Sequence, residues 1–325
     1  KIIILIIIFV KELIIINTWI ISDGTVGMEK QSIALANLLK QKYEIINYTP
    51  PYFLKKLPLL GKFYFSNILK KILLNRKSPT YIITCGKRMA GISIFIKSKL
   101  NDKIKTIHIQ NPGVSIKHFD LLIIPEHDQV TGSNIIQTKG ALNFFDYSEL
   151  KNKYEYLRQN NEKTILLMVG GKNKRYTPQS IDYLNLSMKV ISIIKNTNGK
   201  LLLSVSRRTP QKAIRILDKL FSKCLKNYEI LYTSKNNPYP DILKSIDYGI
   251  VTSDSVNMIS EIATTPIPVF IYKFPKESGK ILDFLDDLES LGIIKILDNK
   301  LFIYTKTKLN TNKDTALKVN KFLGI

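Results

Sequence analysis

From residue 17 onward, short runs of β-branched and other apolar residues alternate with longer stretches whose apolar positions recur at helical spacing. Continuous apolar runs bounded by polar or Gly-rich segments predict strands, and an i, i+3, i+4 recurrence predicts amphipathic helices. The first series predicts strands at 18–21, 44–47, 81–84, 105–109 and 121–124, with helices at 28–42 and 88–100. Ile33, Ala34 and Leu38 fall at core spacing in the first of these helices. A second series predicts strands at 164–169, 201–205, 229–232, 248–251 and 268–272, with helices at 179–195, 211–225, 241–246 and 255–264. Between the two, residues 146–162 are rich in Asn, Lys, Glu and Tyr and read as a linker. Strands that alternate with helices build parallel sheets from βαβ units. The expected class is therefore α/β, with one domain over 17–150, a second over 163–310 and a closing helix over 311–325.

The first residues stand apart. Ile2 to Val10 is an unbroken apolar run, followed by Lys11 and Glu12. It is shorter than the ~20 residues that span a bilayer, and no small-residue cleavage site follows it. Residues 1–16 read as a buried strand or an extraneous leader rather than an anchor.

Composition narrows the class. Of 325 residues, 45% are hydrophobic and 23% charged, the balance of a globular chain. Lys and Arg number 49 against 26 Asp and Glu, a formal +23 that attracts nucleic acid, anionic lipid or a phosphorylated small molecule. Drift toward Lys on solvated faces, in a sequence crowded with the Ile, Lys and Asn of A/T-rich codons, is the alternative account. Cys85 and Cys224 lie far apart and form no metal or disulfide pattern, which points to a reducing, cytoplasmic setting. His108, His118 and His127 form no HxxxH motif, so no metal site is expected. No RNP motif, zinc finger or helix-turn-helix accompanies the charge, which leaves nucleic acid the least supported partner. Between Tyr52 and Lys77, seven Lys and Arg residues interleave with Phe53, Phe63, Tyr64, Phe65 and Leu73. This stretch suits either an anionic membrane surface, with the protein peripheral at its inner face, or a solvated Lys-rich helix.

Open parallel sheets bind ligands beyond the carboxyl ends of their strands. Those ends here carry Ser22-Asp23-Gly24-Thr25-Val26-Gly27, Cys85-Gly86-Lys87-Arg88, Pro125-Glu126-His127-Asp128, Gly170-Gly171-Lys172-Asn173-Lys174-Arg175, Ser206-Arg207-Arg208-Thr209 and Thr252-Ser253-Asp254-Ser255. Gly24 and Gly27 suit a tight strand-to-helix turn, with Asp23 or Thr25 as helix cap, although their spacing is not that of a dinucleotide fingerprint. Gly170 and Gly171 let backbone approach a ligand; Lys172, Arg175, Arg207 and Arg208 supply cations that suit phosphate. Ser253, Asp254 and Ser255 open a helix whose free N–H groups form an anion site. Glu261, six residues past Ser255 and so roughly 9 Å along the axis, sits among apolar neighbours and wants hydroxyl or amide partners: a ribose diol or a local hydrogen bond.

Taken together, Trp19-Ile-Ile-Ser-Asp-Gly-x-x-Gly-x-x-x-Gln31, Thr84-Cys-Gly-Lys-Arg88, Ile109-Gln-Asn-Pro112, Phe119-Asp-x-x-x-x-Pro-Glu-His-Asp128, Thr138-x-Gly-Ala-Leu142, Gly170-Gly171, Ser204-x-Ser-Arg-Arg-Thr-Pro210, Asn237-Pro-Tyr239 and Val251-Thr-x-Asp-Ser-Val-x-Met-x-Ser-Glu261 resemble the mitochondrial fission family named for elongated mitochondria. The resemblance runs in order from 17 to about 275. Asn111-Pro-Gly113 departs from an expected Asp-Pro-Arg, and Thr264-Thr265-Pro266 from a Gly-containing turn. The family implies two Rossmann-like domains with a central cleft, as in GT-B glycosyltransferases and sugar-nucleotide 2-epimerases. By that similarity Gly170, Gly171, Lys172, Arg175, Ser206, Arg207, Arg208, Ser253, Asp254, Ser255, Met258 and Glu261 would hold a nucleotide diphosphate sugar. Gly24, Gly27, Gln31, Gly86, Lys87, Arg88 and Glu126 would line the acceptor side. No further cofactor is expected.

Three functional readings follow: a metal-independent glycosyltransferase at or near the membrane, a non-catalytic membrane-associated scaffold of fission or division, and a sugar-nucleotide epimerase. In the first, His127, Asp23 or Asp128 is the general base that takes the acceptor proton. His127 alternatively serves as a loop histidine bonded to Glu126 or Asp128.

Overall fold

A computed structural model describes residues 17–51, 53, 76, 78–100, 104–143, 147, 150, 162–173, 176–231, 239, 241–275 and 277–324. The leader 1–16, nearly all of the basic stretch 52–77, linker residues 151–161, Lys174, Arg175, Asn237 and Pro238 lie outside the described residues. The chain divides into two compact units, 1–144 with 311–325 and 145–310.

In the first unit the elements run β1 (Asn17–Ser22), α1 (Val26–Leu38), β2 (Lys42–Asn47), β3 (Tyr81–Cys85), α2 (Lys87–Leu100), β4 (Lys105–Ile109), β5 (Leu121–Pro125) and β6 (Ile135–Thr138). The six strands form one sheet in the order β2-β1-β3-β4-β5-β6, every pair parallel. Because the chain leaves β1 toward β2 but β3 toward β4, right-handed crossovers place α1 and α2 on opposite faces. Ala34 and Leu35 of α1 accordingly pack with Ile20, Ile83 and Ile107, while Met89, Ile92 and Phe95 of α2 pack with Trp19, Ile21 and Ile82.

The second unit runs β7 (Thr164–Val169), α3 (Ser180–Thr197), β8 (Lys200–Val205), α4 (Gln211–Cys224), β9 (Tyr228–Leu231), β10 (Tyr248–Thr252), α5 (Val256–Ala263), β11 (Val269–Tyr272), α6 (Lys280–Ser290) and β12 (Lys295–Ile296). Its sheet is again six-stranded and parallel, in the order β12-β11-β10-β7-β8-β9. Tyr183, Leu186, Val190, Leu217 and Phe221 bring α3 and α4 onto one face, against Ile165, Leu167, Leu201 and Leu203. The last helix, α7 (Thr311–Leu323), returns to the first unit, where it packs on α1 and β6 and seats Val319 in the core.

Several boundaries differ from the sequence pattern. The helix expected over 28–42 stops at Leu38: Gln41 N donates to Ala36 O and Lys40 N to Asn37 O, with Lys40 at φ 52°. This Schellman closure uses a lysine where glycine is usual, and it releases Lys42 to open β2. Asn198, at φ 46°, ends α3 in the same way. The helix expected at 241–246 is a 3-10 turn over Asp241–Lys244. Strands β6 and β12 and helix α6 are additions to the predicted set.

The docking of α7 makes a test of the unit division. Val319→Asp places a carboxylate at a fully buried position and should cost about 3 kcal/mol or more. Calorimetry should show the transition of the first unit moved down and that of the second left in place; equal movement of both would contradict the division.

Candidate functional site

In the second sheet the chain proceeds from β7 outward through β8 and β9, then returns to start β10 on the other side of β7. The β7–β10 pair is therefore the switch point where a crevice opens at the carboxyl ends. One carboxylate organises it. Asp254 is 3% exposed. Its Oδ2 accepts Gly171 N at 2.9 Å and Arg208 Nη2 at 3.0 Å, and its Oδ1 accepts the Thr252 hydroxyl at 2.7 Å. Gly170 N in turn donates to Thr252 Oγ1 at 2.8 Å. The ends of β7, β8 and β10 are thus tied to one side chain.

The glycines have a packing reason. A Cβ on Gly170 would lie 2.0 Å from Asp254 Oδ2, and one on Gly171 would lie 2.0 Å from the Arg208 carbonyl oxygen. The space that the missing side chains leave is filled by neighbouring loops of the same unit. Thr209 closes the arrangement, its hydroxyl shared between the carbonyls of Val169 and Gly170 at 2.9 and 2.8 Å while accepting Ser206 N at 3.0 Å. Arg208 Nη1 also donates to Lys172 O at 3.2 Å. Lys172, Arg207 and Arg208 remain exposed.

Helix α5 begins at this crevice. Ser255 is its N-cap and accepts Met258 N at 3.5 Å; Ser253 and Asp254 are turned to other partners. Ser253 donates to Glu277 Oε2 and accepts Phe274 N at 3.1 Å. Asn173 Nδ2 reaches both Glu277 Oε1 and Asp254 O, at 3.3 and 3.4 Å. Glu261 accepts the Tyr239 hydroxyl at 2.9 Å, and burial together with that carboxylate drives the phenol pKa upward. At the other end of α5, Lys306 Nζ donates to the carbonyls of Ile262, Ala263 and Thr265. Burial, reinforced by Lys308, pulls that ammonium down to about 7.

The first sheet has its own switch point between β1 and β3. Gly24 takes φ 76°, and Asp23 Oδ1 accepts Thr25 N at 3.0 Å in a tight Asx turn. Neither Asp23 nor Thr25 caps α1 through its side chain, in contrast to the expectation. Asp23 Oδ2 instead faces Arg88 Nη1 at 3.4 Å, and Arg88 also donates to Pro50 O at 3.0 and 2.6 Å. Gly86, at φ 82°, packs under Met28. Gln31 is buried and donates to Gly27 O at 3.2 Å; Lys87 is exposed. Glu126, His127 and Asp128 form a half-buried 3-10 turn after β5, with Lys139 Nζ 3.8 Å from Glu126.

The structure thus brings Gly170, Gly171, Ser206, Arg208, Asp254 and Ser255 together, and separately Asp23, Gly24 and Arg88. It does not join Asp23 to His127. Strands β3 and β4 intervene between β1 and β5, three inter-strand spacings or roughly 14 Å. Met258 lies in the first turn of α5 and Arg175 outside the described residues. Sequence reasoning placed Thr252, Thr209 and Asn173 in the strand-end loops and Tyr239 in a family motif without giving them partners, and it missed Glu277 as a site former. Glu277 follows β11 at the same sheet edge as the other loops, and that position was the available signal.

The profile of the mitochondrial fission ELM1 family matches residues 26–323. The chain belongs to this family. The Rickettsia prowazekii protein RP120 is 30% identical over 359 residues, spanning 94% of this chain and 99% of that protein. The Arabidopsis thaliana mitochondrial fission protein ELM1 is 24% identical, over 68% of this chain and 57% of that protein. Among solved structures, Acinetobacter baumannii MurG aligns with a TM-score of 0.55 at 12% identity, over 94% of this chain and 99% of its own. Methanocaldococcus jannaschii UDP-GlcNAc 2-epimerase aligns at 0.51 and 14% identity, over 95% and 92%. This ELM1-family chain accordingly has the GT-B glycosyltransferase-like architecture of two Rossmann-like units.

The buried Asp254 of this ELM1-family member has a measurable pH signature. Burial lifts its carboxyl above the ordinary range, against the hydroxyl of Thr252, the charge of Arg208 and the N–H of Gly171. A raised folded pKa means stability that is full below the unfolded value and is lost as pH rises through the folded one. Arg208→Ala removes one group that favours the ionised form, so its destabilisation should be larger at about pH 7.5 than at about pH 4. Denaturant midpoints at the two pH values measure it; equal losses would mean that Arg208 does not support the Asp254 charge.

Proposed function

We propose that the second unit binds a nucleotide diphosphate sugar at the β7–β10 switch point and that the protein transfers the sugar to an acceptor hydroxyl. The observation that carries this reading is the convergence there of the N-terminus of α5 and three exposed cations, Lys172, Arg207 and Arg208, beside the Gly170-Gly171 turn, whose own N–H groups are held by Thr252 and Asp254. Free N–H groups and cations are what a diphosphate requires. Glu261, already hydrogen-bonded to Tyr239, supplies carboxylate oxygen for a ribose diol. The solved epimerase with this fold carries UDP-GlcNAc and UDP.

In the transfer, the acceptor oxygen forms a bond to the anomeric carbon as the bond from that carbon to the diphosphate oxygen breaks. The diphosphate leaves with the electron pair, and the acceptor proton passes to a base. The helix N-terminus and the cations stabilise charge that grows on the leaving group, the place where preorganised donors contribute most. His127, on the half-buried turn after β5, is the preferred base, with Asp128 and Asp23 as the other candidates.

Thermal unfolding with a panel of UDP-sugars tests binding. A donor at 100 times its Kd should add about 2.7 kcal/mol, and Glu261→Gln should weaken it by about tenfold to a hundredfold. No shift with any donor would overturn the reading. With donor and acceptor present, His127→Ala should leave donor affinity in place and slow transfer by roughly a hundredfold or more. Formation of an epimer without acceptor would assign epimerase chemistry instead.

A further inference from the structure

Helices α3 and α4 lie side by side on one face of the second sheet, and their outward faces are unlike those of an ordinary solvated pair. On α3, Ile181, Leu184 and Met188 are 58%, 36% and 68% exposed. Their spacing of three and four residues aligns them in one row, which the half-buried Ile191 extends. Apolar residues scattered singly on a surface carry no meaning; a row along the outer face of a helix whose inner face is already buried inverts the usual amphipathic pattern.

Beside that row, α4 presents Lys212, Arg215, Lys219 and Lys223, all exposed and again spaced by three and four. Ile216 and Leu220, half-buried on the same helix, occupy the flank opposite Asp218, which accepts the Tyr228 hydroxyl of edge strand β9 at 3.0 Å. The flank away from β9 is the one toward α3, and Lys212, Lys219 and Lys223 lean to that side. Lys195 adds a cation at the end of the α3 row. Both acidic residues of the two helices are turned elsewhere: Asp182 accepts from Tyr176 and from Gln179 N, and Asp218 accepts from Tyr228. Among the described residues no carboxylate pairs with Lys212, Arg215, Lys219 or Lys223.

We infer that the α3–α4 face docks on an anionic lipid surface, with Ile181, Leu184 and Met188 entering the headgroup boundary and the α4 cations on the phosphates. Apolar insertion flanked by unpaired cations is the chemistry of an interfacial helix. The same cations oppose the main alternative, a second copy of this chain, because a symmetric contact on this face would set one basic row near another in a protein of formal charge +23. Among the described residues no helix is long and apolar enough to cross a membrane. The inference does not depend on the sugar-transfer reading.

The experiment is flotation of the full chain with vesicles of phosphatidylcholine, alone or with one-third phosphatidylglycerol. Binding to the anionic vesicles only, weakened by salt, is expected. The triple variant K212Q/K219Q/K223Q should bind roughly a hundredfold more weakly, at about 1 kcal/mol per cation near an anionic surface. Ile181→Ser with Met188→Ser should also weaken binding, with unchanged thermal unfolding as the folding control. The sole tryptophan, Trp19, is buried, so Met188→Trp adds a separate emission signal that should shift to the blue when anionic vesicles are added. Vesicle binding untouched by these variants, as when the 52–77 stretch carries it, would overturn the proposal. So would an unshifted Met188→Trp emission on bound vesicles, or a concentration-dependent dimer that Met188→Ser abolishes.

Discussion

The crevice of the second unit depends on a carboxylate taken out of water. Asp254 would be costly to ionise alone, because desolvation disfavours its charge. Three donors from three strand ends, Gly171 N, the Thr252 hydroxyl and Arg208 Nη2, make it tolerable. Each donor is thereby placed. The requirement then propagates: Gly170 must lack a Cβ because the carboxylate occupies that volume, and Gly171 because the Arg208 backbone does. Ser255, next in sequence to Asp254, is left as the N-cap of α5, so the start of that helix is fixed by the same residue that fixes the glycine turn.

A related device appears in the first unit with a looser fit. Asp23 is nearly buried as a side chain, 5% exposed, yet its arginine is 3.4 Å away and spends its shorter bonds on Pro50 O. At the amino ends of the strands, carboxylates do plainer work. Asp120 accepts Thr106 N and its hydroxyl and pairs with Lys97 at 2.8 Å; burial opposes its ionisation, but these donors outweigh it and hold the carboxyl below its usual range. Asp247 accepts Thr164 N in the second unit. Position along the strand separates the two roles: amino-end carboxylates hold strands in register, and carboxyl-end ones shape loops.

Most of the strands were legible because a strand buried on both faces is a continuous apolar run, as in β3, β7 and β10. Helix ends were not, where a lysine or an asparagine rather than a glycine takes the left-handed turn, as Lys40 and Asn198 do. The short edge strand β12 and the half-exposed β6 carry too few apolar positions to stand out. At the site, loop membership could be read from the sequence, whereas partnership could not. Gly170-Gly171 reads equally as room for a ligand or room for a carboxylate 83 positions away from Gly171, and only the pairing of β7 with β10 decides that Asp254 stands there. The position of Glu277 after β11 could be read in the same way but its role could not, since its partners Ser253 and Asn173 lie in other loops.

The large formal charge takes a different form once the carboxylates are located. Asp182, Asp254 and Glu277 are each less than 9% exposed, and their oxygens are occupied by Tyr176, Thr252, Arg208, Gly171, Asn173 and Ser253. No Lys or Arg among the described residues is buried to that degree. By turning these three carboxylates inward as acceptors while every described Lys and Arg keeps some exposure, the chain presents to solvent a field somewhat more positive than its composition alone conveys. Two places concentrate it among the described residues: the strand-end loops, where Lys172, Arg207 and Arg208 surround the start of α5, and the outward row of α4. The first is a set of loops gathered at one sheet edge beside a helix N-terminus, which suits a compact phosphate. The second is an open helix face beside an apolar row, which suits an extended anionic surface, and the geometry of the elements separates the two kinds of partner where net charge cannot.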